Sequence, residues 1–197
     1  LAPGAVELER RAVAGDGVII DSVSVEPDEL AGRLAGAAEV ALAWGESGDV
    51  LRLALYTGEG PALVTTASPA LLTEIFPPSA GPALLAHDVK SLLVRLPAAD
   101  LNCAHDTEIA AYLLKPASRT YKLDQLAAAA GIRVEVTGTG DSLAAAAQIF
   151  HLARKQREEL ERQGLTTLME TVEMPLAGVL AAMERYGFRL DLARLGE

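Results

Sequence analysis

Apolar runs come first as short blocks separated by turn signals, then alternate with helical patterns, and end in a long stretch of helical periodicity. Val18-Ile19-Ile20 is a short β-rich run. Pro27-Asp28-Glu29-Leu30 opens a helix reaching about Leu34, with Pro in the first turn and acidic residues at the positive end of the helix dipole. Val40 to Trp44 is apolar and bounded by Gly45, which suits a buried strand. Val50 to Tyr56 reads as a strand after a Gly48-Asp49 turn, and Ala62 to Thr66 as another after Gly58-Glu59-Gly60-Pro61. Strands joined by such short turns predict an antiparallel meander.

Helices then alternate with short apolar runs. Ser68-Pro69 starts a helix that Pro77-Pro78 ends. Ala83 to Ala86 is a buried strand, and His87 to Leu96 a helix stopped by Pro97. Leu101 to Ala104 suits a short strand. Asp106 caps a helix running through Leu114, with Glu108 in its first turn. Leu123 to Ala130 is a helix closed by Gly131, Thr137 to Gly140 a loop, and Asp141 the start of a long helix. Leu165, Leu168, Val172, Leu176, Val179 and Met183 fall at helical spacing, Pro175 must kink that stretch or start a new helix, and Gly187 is a natural stop. The predicted fold is therefore α/β and layered: a mostly antiparallel block, then strand-helix units, with a C-terminal helical extension. Residues 1–16 mix Pro, Gly and charges as a linker does, 17–163 form the α/β domain, and 164–197 form the exit helices.

Composition narrows the picture. The 197 residues fit one α/β domain with appended helix. Half are hydrophobic but only 4% are aromatic, so Leu, Ala and Val must fill the core. A net charge of -10 repels phosphate and forfeits the counterion-release term in nucleic-acid affinity, so the domain by itself is a poor DNA binder. Cys103 is the only cysteine, which excludes an internal disulfide and predicts a reduced, cytoplasmic setting. No apolar run reaches the roughly 18 residues of a spanning helix, so no membrane partner is expected, and a monomer is. The chain starts at Leu1 without Met and stops after a helix-start pattern, as a piece of a longer protein would.

Several chemistries find no support. His87, His105 and His151 would have to converge with each other or with Cys103 to hold zinc, and the Cys103–His105 offset alone does not achieve that. Gly138-x-Gly140 lacks the Lys of a P-loop and the glycine spacing of a dinucleotide site, and reads as a connector. No Gly-x-Ser-x-Gly setting marks a hydrolase serine. Around Arg154, Lys155–Glu159, Arg157–Glu161 and Glu158–Arg162 are each four apart, which predicts a solvated, ion-paired helix face, with a DNA-backbone contact as the alternative.

The last third carries a more specific pattern. Val172-Glu173-Met174-Pro175-Leu176, then Val179-Leu180, Met183-Glu184-Arg185-Tyr186-Gly187 and Leu190-Asp191, resembles the segment of bacterial family A DNA polymerases that joins the 3'-5' exonuclease-like domain to the polymerase domain. Asp106-Thr107-Glu108-Ile109 with Tyr112-Leu113-Leu114, and Tyr121-Lys122-Leu123-Asp124-Gln125-Leu126, resemble two further segments of that family. The resemblance implies a ribonuclease-H-like fold, a mixed sheet flanked by helices, over roughly Val18 to Glu197. It also implies a parent that synthesises DNA with magnesium in replication and repair, with the polymerase domain of the same chain as partner and DNA reached through the parent.

Active members of that family hold two divalent metals with four carboxylates that activate water, and hard cations demand such oxygens. Here the place of Asp-Thr-Glu on the first strand is taken by Ala43-Trp44-Gly45. Leu92 stands at the acidic position of Asp88-Val89-Lys90-Ser91-Leu92, and the last motif gives Leu143 for its Tyr and Ala147 for its Asp. The expectation is an inactive exonuclease-like scaffold with no catalytic residue, no metal and no cofactor of its own, with Trp44 packed where the site would lie. Relocated ligands drawn from Glu46, Asp49, Asp88 or Asp141 would make it an active exonuclease instead. A third reading is a non-enzymatic module that docks a partner through apolar helix faces.

Overall fold

A computed structural model describes residues 17–47, 50–78, 80–96, 101–137 and 141–187. The predicted linker (1–16), the Gly48-Asp49 turn, Pro97, Gly138 to Gly140 of the loop, and Leu190-Asp191 lie outside the described residues.

The N-terminal strand β1 (Gly17–Ser24) leads through a 3-10 turn at Pro27–Glu29 into the short helix α1 (Leu30–Arg33). The predicted meander follows as β2 (Glu39–Ser47), β3 (Val50–Tyr56) and β4 (Ala62–Ala67), with antiparallel pairing that sets Ala43 opposite Ala54 and Trp44 opposite Leu53. Next come α2 (Pro69–Ile75), β5 (Ala83–Ala86), α3 (Val89–Arg95), β6 (Cys103–Asp106), α4 (Thr107–Leu114) and α5 (Leu123–Ala129). Strand β6 begins two residues later than the apolar run predicts, because its hydrogen-bonding partner β5 reaches it only at Cys103. Arg133–Thr137, predicted above as no element, is strand β7. It is short, and it pairs in parallel with β1, whose own predicted three-residue run extends because β4 and β7 flank it on both sides.

These strands form one mixed sheet of seven in the order β6-β5-β2-β3-β4-β1-β7. The middle is antiparallel and both flanks are parallel. Successive side chains on a strand point to opposite faces, and the two faces bury different cores. On one, Val40 and Leu42 of β2, Leu51, Leu53 and Leu55 of β3, and Leu84 of β5 meet α1, α2 and α3 through Leu30, Leu72, Leu92 and their neighbours. On the other, Ala41, Ala43, Ala54 and Ala62 make a shallow, alanine-lined surface against Leu143, Ala146, Ala147, Ile149 and Phe150 of the long helix α6 (Asp141–Arg162). Phe150 reaches over the β3–β4 turn, where a Cβ at Gly58 would lie 2.3 Å from its ring; the backbone there also has φ +95°, which favours glycine.

The exit runs through α7 (Thr166–Leu168), a π turn at Met169–Glu173, and α8 (Met174–Tyr186). An α-helix advances about 100° per residue, so Met169 and Ala177 would point about 80° apart on a regular helix. A π turn rotates less per residue and lets Met169, Ala177 and Ala181 all be buried. Pro175 sits in the first turn of α8, where a missing amide is tolerated. Gly187 ends the helix at φ 67°, as predicted. Among the described residues no single helix is long and apolar enough to cross a membrane.

The ion pairs predicted along α6 are replaced by others. Lys155 donates to the Ala130 carbonyl at 2.6 Å, Arg157 pairs with Glu39 of β2 at 2.5 Å, and Glu159 takes Arg162 and Gln163. For Lys155 and Arg157, partners on other elements out-compete the exposed pairs, which are worth only a few tenths of a kcal/mol, while Glu159 and Arg162 pair three apart within α6.

Candidate functional site

The densest polar cluster sits where β5 and β6 end and α3 and α4 begin. Asp106 is fully buried. Its carboxylate accepts from Glu108 N at 2.7 Å and Ile109 N at 3.1 Å, as the predicted cap, and also from Val89 N at 2.5 Å across the fold. One side chain thus satisfies orphan amides of two helices. Burial pushes the Asp106 carboxyl up, and the three backbone N–H groups pull it back. Asp88, at φ 57°, caps α3 by accepting from Ser91 N at 3.2 Å.

His87 Nδ1 and Thr107 Oγ1 are 2.9 Å apart, while the Thr107 hydroxyl donates to Ala86 O at 3.2 Å. That hydroxyl's single proton is committed to β5 and Thr107 is fully buried, so the pair braces the strand end and presents no nucleophile. Beside it, buried Gln156 of α6 accepts from His105 Nε2 at 3.1 Å and donates to Thr107 O at 2.8 Å. Burial drives the His105 pKa down to about 4. It also pushes the Cys103 thiol far up, which leaves it unreactive.

The five positions singled out by the resemblance do not form one cluster. Ala43, Leu143 and Ala147 meet on the alanine-lined face. Leu92 is buried on the opposite face, among α3 and its neighbours, and Trp44 packs at the edge of that same core. Gly45 has no heavy atom within 4 Å of where a Cβ would stand. Of the alternative ligands, Glu46 is paired with Arg95 of α3 and Asp88 is spent as a cap; Asp49 and the side chain of Asp141 lie outside the described residues. Among the described residues no three His, Cys, Asp or Glu side chains converge as a metal ion would require.

Between α3, α4 and α8 lies an open cleft of about 480 Å³, walled by Ile109, Leu176, Ala177 and Leu180, and edged by Tyr112 and Tyr121. The two tyrosine rings meet edge to face at 6.0 Å. Asp88, Glu108 and Glu173 line it with Lys90, whose ammonium is held by Glu184 at 2.5 Å. Burial raises the Glu108 pKa, with the charges of Asp88 and Asp106 adding to it. Neither the Gln156 clamp nor this cleft was visible in the sequence, because each joins residues far apart along the chain.

No protein-family model matches the sequence, and no curated protein does either. A solved structure does. The polymerase domain of Pol1 from M. smegmatis, in complex with DNA primer-template and dNTP, matches 89% of this chain with a TM-score of 0.71 and 25% identity. The chain is related in structure to a DNA polymerase. It spans about a third of the polymerase structure's length, 34%.

Proposed function

We propose that the chain is a catalytically silent, ribonuclease-H-like module of the 3'-5' exonuclease type, which supports DNA synthesis and repair by a family A polymerase parent. In this reading residues 17–163 are the module and 164–197 lead into the polymerase domain of the same chain. That domain binds the DNA and the magnesium, and the whole works in the cytoplasm. The observation that carries it is a coincidence of two facts. A DNA-bound polymerase structure matches 89% of this chain, and buried Ala43 and Ala147, which meet on one face of the sheet, occupy positions where the resemblance expects metal-holding carboxylates.

The physics favours such a substitution. Clustered carboxylates repel one another when no metal is bound, whereas methyl groups in the same places add contacts worth about 25 cal/mol per Å² buried. The mixed sheet, antiparallel through β2-β3-β4, parallel on both flanks and covered by helices, supports the ribonuclease-H-like part of this reading.

The deciding experiment is a nuclease assay of the chain on 5'-labelled single-stranded DNA with magnesium and with manganese. No shortening above a metal-free control is expected. Shortening that Glu46→Ala or Asp88→Ala abolishes would overturn the reading in favour of an exonuclease with relocated ligands.

A further inference from the structure

The sequence places α8 among exit helices beyond the α/β domain, but its inner face belongs to that domain's core. Ala177 and Ala181, one turn apart, are buried with Val89, Leu92 and Leu93 of α3 and Leu84 of β5. Upstream, Met169 is buried against Leu160 of α6 and Ala110 of α4, so the stretch is fastened to two cores before it ends. Val179 and Met183 lie on the outer side and are exposed. The inner contacts exist whatever covers that outer side.

Two neighbouring side chains near the end of α8 reach opposite ends of α3. Glu184 takes the ammonium of Lys90, in the first turn of α3, at 2.5 Å. Arg185 Nη1 donates to Leu93 O at 3.3 Å and to Leu96 O at 2.6 Å, at the other end. A helix of seven residues is only about 10 Å long, so the two side chains span it. The arginine adds more than charge. It supplies donors to carbonyls that a helix end leaves without partners, at the negative end of the dipole. The half-exposed Lys90–Glu184 pair holds only weakly by itself. The start of α3 is tied in turn to β6 and α4, because Asp106 accepts from Val89 N. Gly187 N still bonds to Met183 O at 3.0 Å, and its φ of 67° and ψ of 178° turn the backbone out of the helix there.

We propose that α3 clamps α8 as a fixed outlet, so that the chain leaves the module at Gly187 and not at residue 164. A domain attached after α8 is then aimed by the α3–α8 contact, and its hinge lies at Gly187. The inference stands on the inner packing of α8. It moves the boundary of the proposed module and leaves its chemistry untouched.

The test is amide hydrogen exchange of the full chain, followed by NMR. A clamped α8 opens only when α3 opens, so protection factors over Val179–Met183 should lie within about ten-fold of those over Leu93–Arg95. Lower protection on α8 than that overturns the proposal, because a frayed exit helix opens by itself. Glu184→Ala with Arg185→Ala should lower protection over both segments at least about five-fold, while Leu53–Leu55 of β3 changes less than about two-fold. A smaller fall on α8, or an equal fall in β3, overturns the clamp. The first comparison needs no variant, so a variant that misfolds leaves it decisive. Nuclease activity would sink the scaffold reading and leave the exchange result standing.

Discussion

Installing an aspartate at Leu92 and at Gly45 should have opposite consequences, although the family resemblance treats both as places for a metal ligand. Leu92 is fully buried between α3 and the sheet. Truncating a leucine in such a site costs about 2–5 kcal/mol. A carboxyl left there without a partner adds about 1–3 kcal/mol, even after it takes up a proton to shed its charge. The sum, about 3–8 kcal/mol, rivals the whole stability of a typical domain, about 5–15 kcal/mol. Gly45→Asp meets open space, so its effect should stay within about 1 kcal/mol. Urea unfolding followed by circular dichroism measures both. Manganese should raise the melting temperature of neither Leu92→Asp nor the Ala43→Asp/Leu92→Asp double variant, because the two positions face opposite sides of the sheet. A Leu92→Asp protein as stable as the parent, or a manganese-stabilised double variant, would refute the placement of these side chains.

Three other outcomes follow from the structure. His105 is held neutral by burial, with a folded pKa of about 4 against an ordinary 6.5, so its contribution is intact above pH 6.5 and lost as pH falls toward 4. Over that window stability should drop by up to about 3 kcal/mol, and His105→Gln should flatten the slope in urea titrations taken from pH 7.5 to 4.5. Gly58→Ala drives a methyl into the Phe150 ring and strains a left-handed turn; a loss of about 2 kcal/mol or more is expected, and a Phe150→Leu background should recover part of it. Asp106→Ala strands the amides of Val89, Glu108 and Ile109. It should cost at least about 2 kcal/mol and speed amide exchange at the starts of both α3 and α4, whereas loss of an ordinary cap would affect α4 alone.

The meander was legible because glycine-rich turns punctuate it and its strands are long. Asp106 was legible as the cap of α4, since the acid and the helix it opens are adjacent in sequence; its bond to Val89 was not. Strand β7 escaped because five alternating, mostly exposed residues carry little burial signal and gain their structure from pairing with β1. The α6 ion pairs were misread for the same reason in reverse. Spacing along a helix reports only the neighbours a side chain has within that helix, and Glu39 and the Ala130 carbonyl come from elsewhere. Sequence likeness named Ala43 and Leu92 as corresponding positions, but which face of the sheet each one meets depends on where α3 and α6 pack, and a strand's alternation leaves that choice open.

The π turn at Met169–Glu173 acts as a phase adjuster between what the helix hides and what it shows. Rewinding those five residues as a regular α-helix, with none removed, would rotate everything downstream by about 80°. Ala177 and Ala181 would swing out toward water, and the row through Val179 and Met183 would swing against the sheet layer. The winding of this segment therefore matters as much as its composition. A graft or fusion made through it must keep the π turn, or drop one residue where a regular helix replaces it.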